Sequence, residues 1–192
     1  MTISDSDMKF LTYTMVASLV IMGLLHLVPN TNAKAPPPME ISAQLRKEVV
    51  NTIKPLSTVD LRQALQINDG KPTFLFIYAS WCPHCRTALP EFVRLQEKGA
   101  LAKAQVIYFS TDRDPEKLIR YLAENNYHTL FTPYVFSDPD PQTLVRLVED
   151  YGMSWQGGIP YAAILDKDGQ LIAEVNRRNG WNDISRAMNQ LR

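Results

Sequence analysis

Seven consecutive uncharged, mostly apolar residues, Thr73 to Ala79 (TFLFIYA), lead from the turn signal Asp69-Gly70-Lys71-Pro72 to Trp81-Cys82-Pro83-His84-Cys85. A run this short, rich in aromatics and bounded by Gly and Pro reads as a strand buried on both faces, hence central in a sheet. From Cys82 to about Lys98, Leu89, Phe92, Val93 and Leu95 recur at helical spacing, and the pattern stops at Gly99, a common helix-ending signal. A buried strand that feeds directly into a helix is the opening of an α/β domain.

The alternation continues downstream. Val106 to Ser110 (VIYFS) reads as a second buried strand, followed by Asp114-Pro115 and an amphipathic helix from Glu116 to Glu124. Thr132 to Phe136 is a weaker strand, and Pro141 to Tyr151 a further helix. Tyr161 to Leu165, the turn Lys167-Asp168-Gly169 and Leu171 to Val175 read as a β-hairpin. Trp181 to Leu191 closes the chain as a helix, capped by Asn182 or Asp183. Upstream, Ile41 to Ile67 reads as two helical pieces broken near Pro55, either covering the sheet or binding a partner.

The first 38 residues have another character. Phe10 to Val28 is 19 residues without a charge, close to the length a helix needs to cross a bilayer. Ala33-Lys34-Ala35 has the small-x-small pattern of a signal-peptidase site, but Pro36 hinders cleavage there and the apolar run exceeds a usual signal core. An uncleaved anchor is therefore favoured over a removed signal. Lys9 on one flank and Lys34, Arg46 and Lys47 on the other leave orientation undecided by charge. Pro36 to Pro38 mark an extended linker. Twenty Lys and Arg balance twenty Asp and Glu, so bulk charge offers no footprint for nucleic acid.

The chain has two cysteines, both in one C-x-x-C, too close in sequence to staple distant segments, so their use should be chemical. Where a strand hands over to a helix, unpaired N–H groups and the positive end of the helix dipole stabilise a thiolate, which makes Cys82 the expected nucleophile with a depressed pKa. Cys85, one turn further on the same face, is the expected resolving thiol. Pro83 fits the first helical turn, and His84 can add positive charge or a hydrogen bond beside the Cys82 sulfur, making the disulfide a stronger oxidant. A closed zinc shell would need four ligands, and beyond the cysteines only His84 and His128 follow the linker, so no metal site is expected. Copper carriage on the two cysteines, with His128 as a distant ligand, is the alternative from another class.

The strand TFLFIYAS, then WCPHC, a helix containing Pro90, and later GGIPYAAILDKDGQLI resemble the thioredoxin superfamily over roughly residues 56 to 192. Within it the chain is most similar to TlpA-like, membrane-tethered thiol-disulfide oxidoreductases of the bacterial periplasm, with a CPHC dipeptide like that of the oxidant DsbA. The resemblance implies a thioredoxin-like α/β fold: a central mixed sheet flanked by helices, with a TlpA-like strand-helix insertion between Val106 and Tyr151. It also implies a cis peptide at Ile159-Pro160 facing the dithiol, where Trp81, Ile159 and Pro160 would bind an extended substrate, and a helix kinked at Pro90. Two positions depart from the family: Phe76 stands where thioredoxin-like proteins often bury an acid, and Ala88 where TlpA-like proteins often carry Glu. The proton acceptor for Cys85 is left open between Glu91 and solvent.

These features describe three segments: an anchor or signal over 1–35, a linker and leading helix over 36–55, and a thioredoxin-like domain over 56–192. The expected activity is thiol-disulfide exchange by Cys82 and Cys85 with protein substrates and with a membrane or periplasmic redox partner. No cofactor beyond the dithiol is required. The expected location is the inner membrane, held through residues 10–28 with the catalytic domain in the periplasm, or the soluble periplasm if the signal is removed. Reductant, oxidant and isomerase remain alternatives at this level.

Overall fold

The computed structural model describes residues 40–175 together with residues 184 and 186. The apolar segment 10–28, the Ala33-Lys34-Ala35 site, the three prolines and most of the closing helix expected over 181–191 lie outside the described residues. Of that helix, Ile184 is helical and fully buried. Among the described residues, no helix is long and apolar enough to cross a membrane.

Among the described residues twelve elements follow one another: α1 (Ala43–Thr52), β1 (Lys54–Leu56), α2 (Thr58–Gln66), β2 (Thr73–Tyr78), α3 (Pro83–Glu97), β3 (Gln105–Ser110), α4 (Pro115–Glu124), a 3-10 turn (Tyr127–Thr129), β4 (Pro133–Phe136), α5 (Gln142–Glu149), β5 (Tyr161–Leu165) and β6 (Leu171–Val175). The strands form one mixed sheet in the order β1-β4-β3-β2-β5-β6. β1, β4, β3 and β2 run parallel, while β5 pairs antiparallel with β2 and with β6. The expected α/β architecture with a central mixed sheet is what forms.

β2 is central because every one of its residues is buried, so it cannot lie at an edge or face water. Phe74, Phe76 and Tyr78 point to one side and Leu75 and Ile77 to the other, as the two-residue period of a strand requires. The first side receives α3: the Phe92 ring lies 5.1 Å from Phe74 and 5.0 Å from Phe76. Tyr108 of β3 meets both phenylalanines edge-on, extending the same aromatic layer. Leu75, Ile77 and Phe109 on the opposite side are equally buried, so that face is covered too.

α3 ends where Gly99 adopts φ 78°, a left-handed conformation that a side chain disfavours. The β5–β6 turn is held by Asp166, whose carboxylate accepts the N–H groups of Asp168 (2.9 Å) and Gln170 (2.8 Å) around Gly169. Ser57 and Asp60 close a capping box at the start of α2.

One element departs from the sequence expectation. The break near Pro55 is more than a gap between two helices: Lys54–Leu56 forms edge strand β1, paired with β4 in register Pro55↔Val135. Three residues are too few to show a strand period, and a proline is tolerated at a sheet edge because an edge strand leaves one side of its backbone unpaired. α1 then packs on α4, with Val49 fully buried and Arg46 paired to Glu116.

Because Phe92 is the contact through which α3 grips β2, truncation there should be felt globally. Phe92→Ala is expected to cost about 3–5 kcal/mol of unfolding free energy. Urea denaturation checks this, and a midpoint within error of the parent would refute the packing described.

Candidate active site

Cys82 is the N-cap of α3: its backbone is extended (φ −82°, ψ 116°), and its Sγ accepts the backbone N–H of Cys85 at 3.3 Å. Pro83 occupies the first helical turn, where a missing N–H leaves no gap in the helix ladder. Its ring and the His84 side chain are exposed. The sulfur of Cys82 therefore sits at the positive end of a helix with an amide N–H directed at it, an arrangement that favours negative charge on that atom.

The other side of Cys82 is met by the loop before β5. The Cys82 thiol donates to the carbonyl oxygen of Ile159 at 3.8 Å, and the Ile159–Pro160 peptide bond is cis. This loop is tied at two points. The Trp155 indole N–H donates to the Gly158 carbonyl at 2.7 Å, and Glu174 of β6 accepts the Ser154 N–H at 2.8 Å as well as the Ser154 and Tyr161 hydroxyls. Burial works against ionisation of Glu174, but these donors outweigh it and hold the carboxyl below its ordinary pKa.

Both cysteines are buried, Cys85 the more completely. Cys85 is fully buried, whereas Cys82 keeps 5% exposure next to Trp81, whose side chain is 59% exposed. Burial pushes the Cys85 thiol well above its ordinary value of 9.0, the hydrogen bond with Cys82 adds to this, and the Ala79 backbone pulls the other way. Cys85 is thus a proton-holding thiol, and Cys82, itself buried apart from that 5%, is the sulfur that solvent can reach.

Sequence reasoning missed the group that anchors this junction. Asp112 is buried just beyond the end of β3, and its carboxylate accepts the Ser80 N–H at 2.8 Å, the Ser80 hydroxyl at 2.6 Å and the Ser110 hydroxyl at 2.6 Å. Ser80 lies two residues before Cys82, so the carboxylate fixes the approach to the nucleophile. Arg86, one turn into α3, donates back to the Ser80 carbonyl at 3.3 Å and lies 4.9 Å over the Tyr121 ring. The available signal was positional: β2 and β3 are neighbouring parallel strands, so polar residues just past both carboxyl ends must meet where such sheets build sites.

Other sequence candidates are placed elsewhere. Glu91, considered as proton acceptor for Cys85, is exposed on α3 and paired with Arg94. His128 is buried in the 3-10 turn with Nδ1 3.4 Å from the Leu122 carbonyl. Among the described residues no group of three His, Cys, Asp or Glu side chains could hold a metal ion, so His128 and the cysteines do not form one.

The sequence model of the AhpC/TSA family matches residues 48–174. A protein named "Probable nucleoredoxin 1" from Arabidopsis thaliana is 30% identical over 110 residues, covering 56% of this chain but 17% of that protein. The thiol:disulfide interchange protein DsbE of Yersinia pestis is 28% identical over 185 residues, 94% of this chain and 88% of that protein. A crystal structure of a thioredoxin-family thiol:disulfide interchange protein from Chlorobium tepidum TLS superposes with a TM-score of 0.50 at 20% identity, covering 67% of this chain and 82% of that one, and shows the shared fold.

Two outcomes follow from the unequal cysteines. Brief alkylation of the reduced protein near neutral pH should label Cys82 and spare Cys85, read by peptide mass mapping; equal labelling would contradict the burial. Cys85 and the buried Tyr78, Tyr108, Tyr121 and Tyr161 all have pKa values raised first by burial, so the folded state keeps protons that the unfolded chain releases. Their stabilising contribution is full below the unfolded values and is lost as pH rises. Unfolding free energy of the reduced protein should therefore fall above about pH 9, and a flat profile there would refute it.

Proposed function

The chain belongs to the AhpC/TSA family and is a thiol-disulfide oxidoreductase of thioredoxin-like fold, and we propose that it exchanges its Cys82–Cys85 pair with protein substrates on the periplasmic side of the inner membrane. The observation that carries this reading is the position of the Cys82 sulfur, between the Cys85 N–H at 3.3 Å and the Ile159 carbonyl at 3.8 Å. One side favours the thiolate; the other places substrate-binding backbone against it.

Cys82 thiolate attacks a substrate disulfide, forming a Cys82–substrate bond and releasing the other substrate sulfur as a thiolate. Cys85 then attacks the Cys82 sulfur, forming the Cys82–Cys85 disulfide and releasing the second substrate thiolate. The substrate gains two electrons and the enzyme dithiol loses them. Run backwards, the same steps donate a disulfide, and a membrane or periplasmic redox partner restores the starting state. No cofactor other than the dithiol enters these steps. On this reading exposed Trp81 beside Cys82 would offer an apolar platform, and the backbone at Ile159 and Pro160, whose side chains are buried, would take an extended peptide as an added strand. His84, exposed on the first helical turn, would tune the thiolate form on this reading.

The periplasmic location and the anchor rest on the uncharged run from residue 10 to residue 28 followed by Pro36 to Pro38. On this reading 1–35 tethers, 36–55 spaces and leads in, and 56–192 carries the chemistry. The relative with greatest mutual coverage reported above is named for thiol:disulfide interchange, which supports the same class of substrate.

Cys82→Ser should abolish both reduction and oxidation of model protein disulfides, whereas Cys85→Ser should leave the first attack intact and accumulate a mixed disulfide on Cys82, visible as a mass adduct. Turnover by Cys82→Ser at the parent rate would end the proposal. The direction is read from the reduction potential of the pair, between about −270 mV for a thioredoxin-like reductant and about −120 mV for a DsbA-like oxidant. His84→Ala should shift it toward the reducing end; no shift removes His84 from the tuning role.

A further inference from the structure

The backbone that faces Cys82 lies on a stretch with little stiffness of its own. Between Ser154 and Tyr161, residues 155–160 include Gly157, with φ 85°, and Gly158, both exposed, and end in the cis bond whose Ile159 carbonyl meets the Cys82 thiol at 3.8 Å. Glycine leaves a chain more conformations to lose than any other residue, so such a loop keeps a fixed backbone only where side chains tie it. The buried Trp155 supplies one tie from within, through its indole N–H to the Gly158 carbonyl. The other comes from β6.

Glu174 stands opposite Ala163 in the β5–β6 register, which makes it the diagonal neighbour of Tyr161 on the same face of the sheet. The small Ala163 side chain leaves the longer glutamate room to cross it. One oxygen of the carboxylate accepts both the Ser154 N–H, at 2.8 Å, and the Tyr161 hydroxyl; the other accepts the Ser154 hydroxyl. Ser154 opens the loop and Tyr161 is the first residue after cis-Pro160, so a single carboxylate closes the loop on itself. Satisfying the buried Tyr161 hydroxyl needs only one of these bonds. The other two go to Ser154, which is exposed and whose N–H and hydroxyl water could serve. Their effect is to fix where the loop begins relative to where it ends.

We propose that Glu174 is a positioning residue for substrate: it holds the Ile159–Pro160 backbone at its spacing from Cys82, and so sets how tightly an extended peptide binds. The inference rests on the exchange reading above and names the residue that shapes its peptide-binding backbone. A backbone held in place before binding costs a peptide no loop ordering, whereas a loose one must be ordered as the peptide docks. A small aromatic disulfide needs only the Cys82 sulfur and gains nothing from the loop. Glu174 therefore favours peptide disulfides over small ones, acting through the loop rather than on either sulfur.

The test uses the full chain in detergent with two substrates. One is a flexible peptide closed by a disulfide between two cysteines, with excess dithiothreitol recycling the Cys82–Cys85 pair so that turnover proceeds whatever its potential. Each cycle reduces the peptide disulfide to two thiols and oxidises one dithiothreitol to its disulfide. The other is the aromatic disulfide DTNB, mixed with the reduced protein, where attack by Cys82 releases one aromatic thiolate. Glu174→Ala should raise KM for the peptide by about tenfold with kcat unchanged, and leave the DTNB rate within about twofold of the parent. Glu174→Gln should recover most of the loss, because its carbonyl oxygen still accepts the Ser154 N–H and the Tyr161 hydroxyl. Removing the carboxylate strands the Tyr161 hydroxyl, so the double variant Glu174→Ala, Tyr161→Phe repeats the measurement without that penalty, and the same rise in KM is expected. An unchanged KM, peptide and DTNB rates that fall together, or Glu174→Gln no better than Glu174→Ala would overturn the role of Glu174 while leaving exchange intact. Parent protein that turns over neither substrate would instead remove exchange itself, and this role with it.

Discussion

The hydrogen bonds from Ser80 to Asp112 hold together the two halves of the site. β2 and β3 run side by side and end together, and both must turn away from the sheet there. A buried carboxylate would be costly without donors, and here it has the Ser80 amide, the Ser80 hydroxyl and the Ser110 hydroxyl. That satisfaction fixes the path of the chain from Ala79 to Cys82. The Cys82 N–H then bonds to the Ala79 carbonyl at 3.1 Å, and the Arg86 guanidinium closes onto Ser80 from the helix. A free turn at this place would let the helix start drift; the anchored one delivers Cys82 as the N-cap.

From that starting point the difference between the cysteines is a matter of helical geometry. Three residues separate them, so they share a face, but one occupies the cap and the other the interior of the first turn. The cap residue keeps access to the rim occupied by Trp81 and the Ile159 loop. The interior one faces β2 and loses its solvent. A single spacing thus produces an attacking sulfur that meets the substrate and a resolving sulfur that water cannot easily deprotonate, which is useful when a mixed disulfide must survive long enough to be directed.

Much of this was legible in the chain. The run from Thr73 to Ala79 fits a central strand best and WCPHC after it fits a helix start, so the expected nucleophile and its location followed from local pattern. The hairpin around Asp166 to Gln170 was equally plain, because its turn chemistry is contained in five adjacent residues. What was missed shares a different property: it depends on contacts between segments far apart in sequence. β1 is recognisable only from its pairing with β4, and Asp112 only from the adjacency of two strand ends. Glu91 looked plausible because it is near Cys85 in sequence, yet six residues along a helix is nearly two turns and turns it to solvent.

The position of Asp112 is physically coherent with the aromatic layer beneath α3. Phe74, Phe76, Phe92 and Tyr108 pack as a continuous apolar sheet of rings, and an ionised carboxylate in their midst would face desolvation without donors. At the strand ends, by contrast, the backbone leaves the sheet and two serines can point inward, so a carboxylate can be both buried and satisfied. Tyr78 continues the aromatic stack on Phe76, and its hydroxyl is buried without a hydrogen-bond partner among the described residues. The sheet beneath α3 is therefore dry along its strands and polar at their ends, where the chain turns toward the dithiol.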